Sequence, residues 1–183
     1  AGLKASVHYQ FGEVAGQNGK NNVGGNLIYF RGPLALTAYY QKVKVNNPLE
    51  LSPNNVQPAT NIPFASGMTA AEQTAWFVGG SYNFEVAKLF ASYNQSTHDI
   101  DLKDKTFQLG TSIPLGSGAI LASWANTKRD GAAVGTELKR NTASLGYDYN
   151  LSKRTDIYTV YMYDKITQQT TGNSFALGIR HRF

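Results

Sequence analysis

Three histidines, His8, His98 and His181, are the side chains that could bind a transition metal or move a proton near neutral pH. No two stand at metal-ligand spacing, and there is no His-x-x-x-His. The chain has no cysteine, which excludes thiolate metal sites and a disulfide framework. Neither a Gly-x-Ser-x-Gly elbow nor a Walker loop is present. One grouping, His98-Asp99 with Asp101, could be cast as a hydrolytic site. The plain reading is that His8 lies on the polar face of a strand, His98 in a loop and His181 near a strand end. No catalytic residue, metal or cofactor is expected. A different chemistry suits Lys4, Lys88, Arg140, Arg180 and Arg182, with Asp148 as their main counter-charge. Cations held in a narrow aqueous passage favour anions. The alternative is that they neutralise carboxylates elsewhere on the same surface.

The elements that must position these groups are strands. In residues 174–183, Phe175, Leu177, Ile179, His181 and Phe183 fall on one face; Ser174, Ala176, Gly178, Arg180 and Arg182 fall on the other. In residues 3–11, Leu3, Ala5, Val7, Tyr9 and Phe11 oppose Lys4, Ser6, His8 and Gln10. Further strands are expected at 23–31, 34–45, 74–84, 86–95, 105–114, 119–128, 139–149 and 155–165. Leu27-Ile28-Tyr29-Phe30 is apolar on both sides and leaves its faces unassigned. Residues 46–73, with Pro48, Pro53, Pro58 and Pro63, read as the longest loop, with a short helical turn over 68–73. Residues 13–22, 96–104, 129–138 and 166–172 read as further loops. Short connections at 32–33, 85, 115–117 and 150–154 alternate with these longer ones, as in barrels that cross a membrane.

Composition narrows the class. The chain has 183 residues and a net charge of +5, with 11 Tyr against 2 Trp. No apolar run approaches the roughly 18 residues of a helical span. Alternating barrel strands average out to polar, so a barrel is not excluded. Lys and Arg are spread along the chain, with only pairs such as Lys128-Arg129 and Lys139-Arg140, which argues against nucleic acid as a partner. The start, Ala1-Gly2-Leu3, has no charged or apolar leader region. A leader is therefore expected to have been cleaved, or the chain to begin inside a longer one. These observations give an all-β class: a transmembrane antiparallel β-barrel of about ten strands over residues 1–183, as one domain or as part of a larger barrel.

A strand of alternating hydrophobicity ending in Phe183 resembles the final strand of Gram-negative outer-membrane proteins. The run Tyr147-Asp148-Tyr149-Asn150-Leu151-Ser152-Lys153-Arg154-Thr155 resembles the penultimate turn of trimeric general porins of the beta-proteobacterial type. The resemblance is most specific over residues 142–183. It implies the C-terminal portion of a sixteen-stranded outer-membrane porin, with passive diffusion of small hydrophilic solutes and ions. It also implies a homotrimer, contacts with outer-membrane lipid and lipopolysaccharide, and recognition of Phe175, Leu177, Ile179 and Phe183 by the barrel assembly machinery. In such a barrel, strand alternation makes Lys4, His8, Lys88, Arg140, Asp148, Arg180 and Arg182 the expected pore-lining set. The alternative is a complete ten-stranded barrel with a structural, adhesive or protease role.

Overall fold

The structure, a computed structural model, describes residues 2–11, 21–51, 68–99, 101–131 and 137–182. It contains ten strands: β1 (Gly2–Gln10), β2 (Asn22–Arg31), β3 (Leu34–Leu51), β4 (Met68–Asn83), β5 (Lys88–His98), β6 (Leu102–Leu115), β7 (Gly118–Asp130), β8 (Leu138–Asn150), β9 (Thr155–Ile166) and β10 (Gly172–His181). Each pairs antiparallel with its neighbours in chain order, giving one meander. Among the described residues β1 pairs with β2 alone and β10 with β9 alone. The sheet is therefore open at both edges and does not close on itself as a ten-stranded barrel would.

Tight turns fix the register at one end. Gly32-Pro33 and Gly116-Ser117 are two-residue connections whose first residue is a glycine at φ 56° and 58°. Positive φ at that position matches the turn to the right-handed twist of the strands. In the β4–β5 connection Glu85 takes φ 70°, and its N–H donates to Asn83 Oδ1 at 3.1 Å. In the β8–β9 connection Ser152 Oγ accepts from the N–H groups of Arg154 and Thr155.

At the opposite end the strands run further than the sequence suggests. Residues 68–73 are strand, not a helical turn, because β4 continues its ladder against β3 as far as Leu51↔Met68. The register shifts between Lys44 and Leu49, and Pro48 falls inside that shift, where a residue without an N–H is tolerated. Residues 96–104 are not a loop either: Ser96↔Asp104, Thr97↔Lys103 and His98↔Leu102 are ladder pairs. Arg129 and Asp130 end β7, and Leu138 begins β8. Residues 13–20 of the first expected loop and 52–67 of the longest lie outside the described residues. The expected alternation of short and long connections thus holds only in part.

The register also settles the faces. Leu27 and Tyr29 pair with Ala5 and Leu3, while Ile28 and Phe30 pair with Lys4 and Gly2. Following the ladders across the sheet gives an apolar face, which carries Leu3, Leu36, Leu109, Leu145 and Phe175, and a polar face, which carries Lys4, Thr37, Ser92, Gln108 and Thr142. The apolar face is bare: Phe175, Leu177 and Ile179 are 71%, 73% and 69% exposed. Buried hydrophobic residues among those described are only Ala75, Leu102 and Ile166. A contiguous apolar surface of this extent is foreign to a soluble monomer, whose largest patch is about 300–600 Å². A sheet with lipid against one face needs no other core.

Candidate functional site

The ion pairs described on the polar face form three clusters. Near the end where the strands run long, Arg129 of β7 grips Asp104 of β6 with two hydrogen bonds: Nε donates to Oδ1 and Nη2 to Oδ2, both at 2.6 Å. Both side chains are buried beside Leu102, Ser96 and His98. Fork-to-carboxylate geometry of this kind is what the guanidinium supplies and an ammonium cannot. One step across the sheet, Arg140 Nε donates to Asp164 Oδ1 at 2.8 Å, and Thr142 Oγ1 donates to the same oxygen at 2.8 Å.

The third cluster lies at the short-turn end. Arg180 Nε donates to Asp156 Oδ2 at 3.0 Å and its Nη2 to Asp148 Oδ2 at 2.8 Å. Arg182 Nη2 reaches Asp156 Oδ2 at 3.3 Å. Asp156 is almost wholly buried, so two cations compensate one desolvated carboxylate. Alternation along β9 puts Asp156, Tyr158, Met162 and Asp164 on this face. Tyr158 lies flat against Gly178, where a Cβ would sit about 2.5 Å from its ring, so the glycine is what lets the ring lie down.

Two hollows lie on the same face. A hollow of about 620 Å³ is lined by Ile28, Phe30, Phe77 and Phe90 with small residues such as Gly79 and Ser92. Beside it a hollow of about 650 Å³ is lined by polar groups, among them Gln41, Gln73, Asp104, Thr106 and Arg140.

The residues singled out in the sequence distribute as follows. Lys4, His8, Lys88, Arg140, Asp148 and Arg180 occupy polar-face positions of the ladder, and Arg182 joins them through Asp156. Neither Lys4 nor Lys88 has an ion pair among the described residues; the Lys88 ammonium stands 5.1 Å over the Phe90 ring. His8 lies over Gly24. His98 is not in a loop: it ends β5 as a buried side chain. His181 lies with Thr155, on the apolar side, and the two share a hydrogen bond of 2.9 Å. Phe183 lies outside the described residues.

The sequence reading missed Asp104, Arg129, Asp156 and Asp164. Asp148 is therefore not the main counter-charge: among the residues whose side chains are described, Asp104, Asp148, Asp156 and Asp164 share the polar face with Lys4, Lys88, Arg129, Arg140, Arg180 and Arg182. Asp104 and Arg129 fall in stretches that read as loop from sequence, where alternation says nothing. Asp156 and Asp164 carried a usable signal, the eight-residue spacing that puts both on one side of β9.

Comparison with known proteins agrees with this architecture. The sequence profile of the Gram-negative porin family matches residues 1–169. An outer membrane porin protein of Bordetella pertussis is 29% identical over 171 residues, 76% of this chain and 44% of that protein. Outer membrane porin protein 32 of Delftia acidovorans is 36% identical over 118 residues, 62% of this chain and 31% of that protein. The anion-selective porin from Comamonas acidovorans superposes with a TM-score of 0.73 at 26% identity, covering 100% of this chain and 56% of that one. The chain spans about half the length, or less, of the proteins it matches. Its ten-stranded meander, its two unlike faces and the family match together show that the chain belongs to the Gram-negative porin family, whose members are outer-membrane channels and not enzymes.

Proposed function

We propose that this chain forms part of the wall of a water-filled pore for passive diffusion of small hydrophilic solutes and ions, with a preference for anions. The single observation that carries the reading is the ladder register. It collects Lys4, His8, Lys88, Arg140, Asp148 and Arg180 on one face, where Arg182 joins them through Asp156, and most of the bulky apolar groups on the other. The polar face is the lumen wall; further strands pair with the open edges of β1 and β10 to complete the barrel, and the whole assembles as a homotrimer.

The anion preference rests on charge balance. Six cations stand against four carboxylates among the polar-face residues whose side chains the structure describes, and the surplus sits at Lys4 and Lys88. Low-dielectric walls focus the field of such a surplus into the water between them. The relative from Comamonas acidovorans is an anion-selective porin. The test is the zero-current potential of the full-length porin in a planar bilayer under a KCl gradient, for wild type and for Arg140→Ser with Arg180→Ser. An anion-selective sign that moves toward cations in the double variant supports the reading. A cation-selective wild type overturns it.

The terminal strand serves in assembly. Phe175, Leu177 and Ile179 present a lipid-facing row, and Phe183 completes the signal. Removing Phe183 should lower the yield of assembled porin while leaving the melting of porin already assembled unchanged; equal yields would refute the role.

A further inference from the structure

The polar face also carries a group of bulky apolar side chains. Ile28 and Phe30 of β2, Phe77 of β4 and Phe90 of β5 share it with Lys4, Thr37 and Ser92. The register arranges them around a trough. The row Ile28–Thr37–Gly79–Ser92 runs next to the row Phe30–Ala35–Ser81–Phe90, which lies nearer the short turns. Between the bulky residues of β2 and those of β5, the floor is therefore made of Ala35, Thr37, Gly79 and Ser81 alone. β2 and β5 are three strand spacings apart, about 14 Å. This trough is the hollow of about 620 Å³, a volume in the range of small-molecule sites. Phe77 closes the end away from the short turns. A Cβ on Gly79 would lie 2.7 Å from the tip of the Phe77 ring, so the glycine lets that ring lean over the floor. The Tyr39 ring lies within 7° of parallel to it, with centroids 5.3 Å apart, and extends the aromatic surface.

Phe30 and Phe90 are 47% and 41% exposed. On the lipid side such groups are covered by acyl chains; on a wall that faces water they gain only from a solute that displaces that water. Two cations border the trough. The Lys88 ammonium stands 5.1 Å over the Phe90 ring, an attraction that holds it at the end nearer the short turns. Lys4 faces Ile28 across the β1–β2 ladder. Neither ammonium has an ion pair among the described residues, so each keeps its charge for a solute.

We propose that this trough binds small aromatic carboxylates of the benzoate class as they pass along the pore wall, with the ring against Phe77, Phe90 and Ile28 and the carboxylate at Lys88. The occupant must satisfy two neighbouring surfaces at once, an aromatic hollow and an uncompensated ammonium at its border. A small hydrophilic anion meets the ammonium and leaves the rings in water. A neutral apolar solute covers the rings and leaves the charge unanswered. An aromatic acid does both, because offset or edge contacts with Phe side chains suit a flat ring and the ammonium suits its carboxylate. The proposal rests on the pore reading, which puts water on this face, and names one class of solute for it.

The experiment uses the full-length porin in a planar bilayer with symmetric KCl. Benzoate, acetate and benzyl alcohol are titrated separately, and the concentration that halves the chloride current is read for each. In the wild type benzoate should act at a concentration about tenfold lower than acetate or benzyl alcohol. Phe77→Ala with Phe90→Ala should raise the benzoate value about tenfold and leave the acetate value unchanged. Lys88→Gln should raise the benzoate value about fivefold and leave that of benzyl alcohol unchanged. Equal action of benzoate and acetate overturns the proposal, since it marks a site for anions of any kind. Equal action of benzoate and benzyl alcohol overturns it too, since it marks an apolar hollow only. No action of benzoate at any concentration means that another part of the barrel covers the trough, which also overturns it. These wild-type comparisons decide the matter even where the double variant fails to assemble. Conductance steps in KCl alone report the channel reading separately, and saturation-transfer NMR of benzoate with the porin in non-ionic detergent reads binding without conduction. Conduction without benzoate binding, or binding without conduction, therefore tells the two readings apart.

Discussion

The two faces of this sheet handle charge in opposite ways. On the polar face, Arg129, Arg140, Arg180 and Arg182 all hold carboxylates. On the rim of the apolar face the cations are lysines: Lys105, Lys128 and Lys139 stand side by side on β6, β7 and β8 with too few carboxylates. The side chains explain the division. A guanidinium is planar and weakly hydrated, so it can lock a desolvated carboxylate in two hydrogen bonds. An ammonium keeps its hydration on a flexible apolar stem, so it can lie along greasy surface and lift its charge into the headgroups. The pore wall needs fixed charges; the lipid boundary needs adaptable ones.

The largest effect that breaks the comparison should come from the buried pair. Arg129→Met leaves Asp104 buried without its partner and should cost about 3–5 kcal/mol, read as a lowered thermal midpoint of the refolded porin. Adding Asp104→Asn should recover most of the loss, because the charge that needed compensation is gone. No recovery would mean that Arg129 acts by packing instead. A smaller effect contrasts adjacent residues of β6. Leu109→Arg places a charge on the apolar face near mid-height and should cost about 2–4 kcal/mol, whereas Gln108→Arg on the polar face should cost well under 1 kcal/mol. Similar losses in denaturant titrations would contradict the assignment of faces.

Selectivity sharpens the comparison further. Arg140→Ser with Asp164→Ser removes a neutral pair and should leave the zero-current potential within error of wild type, whereas Lys88→Gln removes surplus charge and should move it toward cations. The shift should shrink between 0.1 M and 1 M salt, as the Debye length falls from about 10 Å to about 3 Å. The smallest effect concerns the lysine row. In lipid-free detergent Lys128→Gln relieves two cross-strand repulsions and should stabilise the porin slightly, by about 0.2–1 kcal/mol. A destabilised variant would show that Lys128 makes contacts of its own in the absence of lipid.

The sequence alone determined which residues share a face within a strand, because the pleat has a period of two and bulky residues alternate with small or charged ones. That sufficed for the ten strands, for the opposite faces of Leu177 and Arg180, and for the family resemblance carried by residues 142–183. It did not determine which residues meet across strands. Alternation is silent about register, and only the ladders bring Arg129 to Asp104, Arg180 to Asp148 and Asp156, or Lys105 to Lys128 and Lys139. Nor could composition find the ends of strands: residues 68–73 and 96–104 look like loop, yet pairing with a neighbour satisfies their backbone groups and keeps them extended. Whether the sheet closes was likewise a tertiary matter, because closure depends on how the twist and stagger of the strands accumulate across the sheet and not on any one strand's sequence.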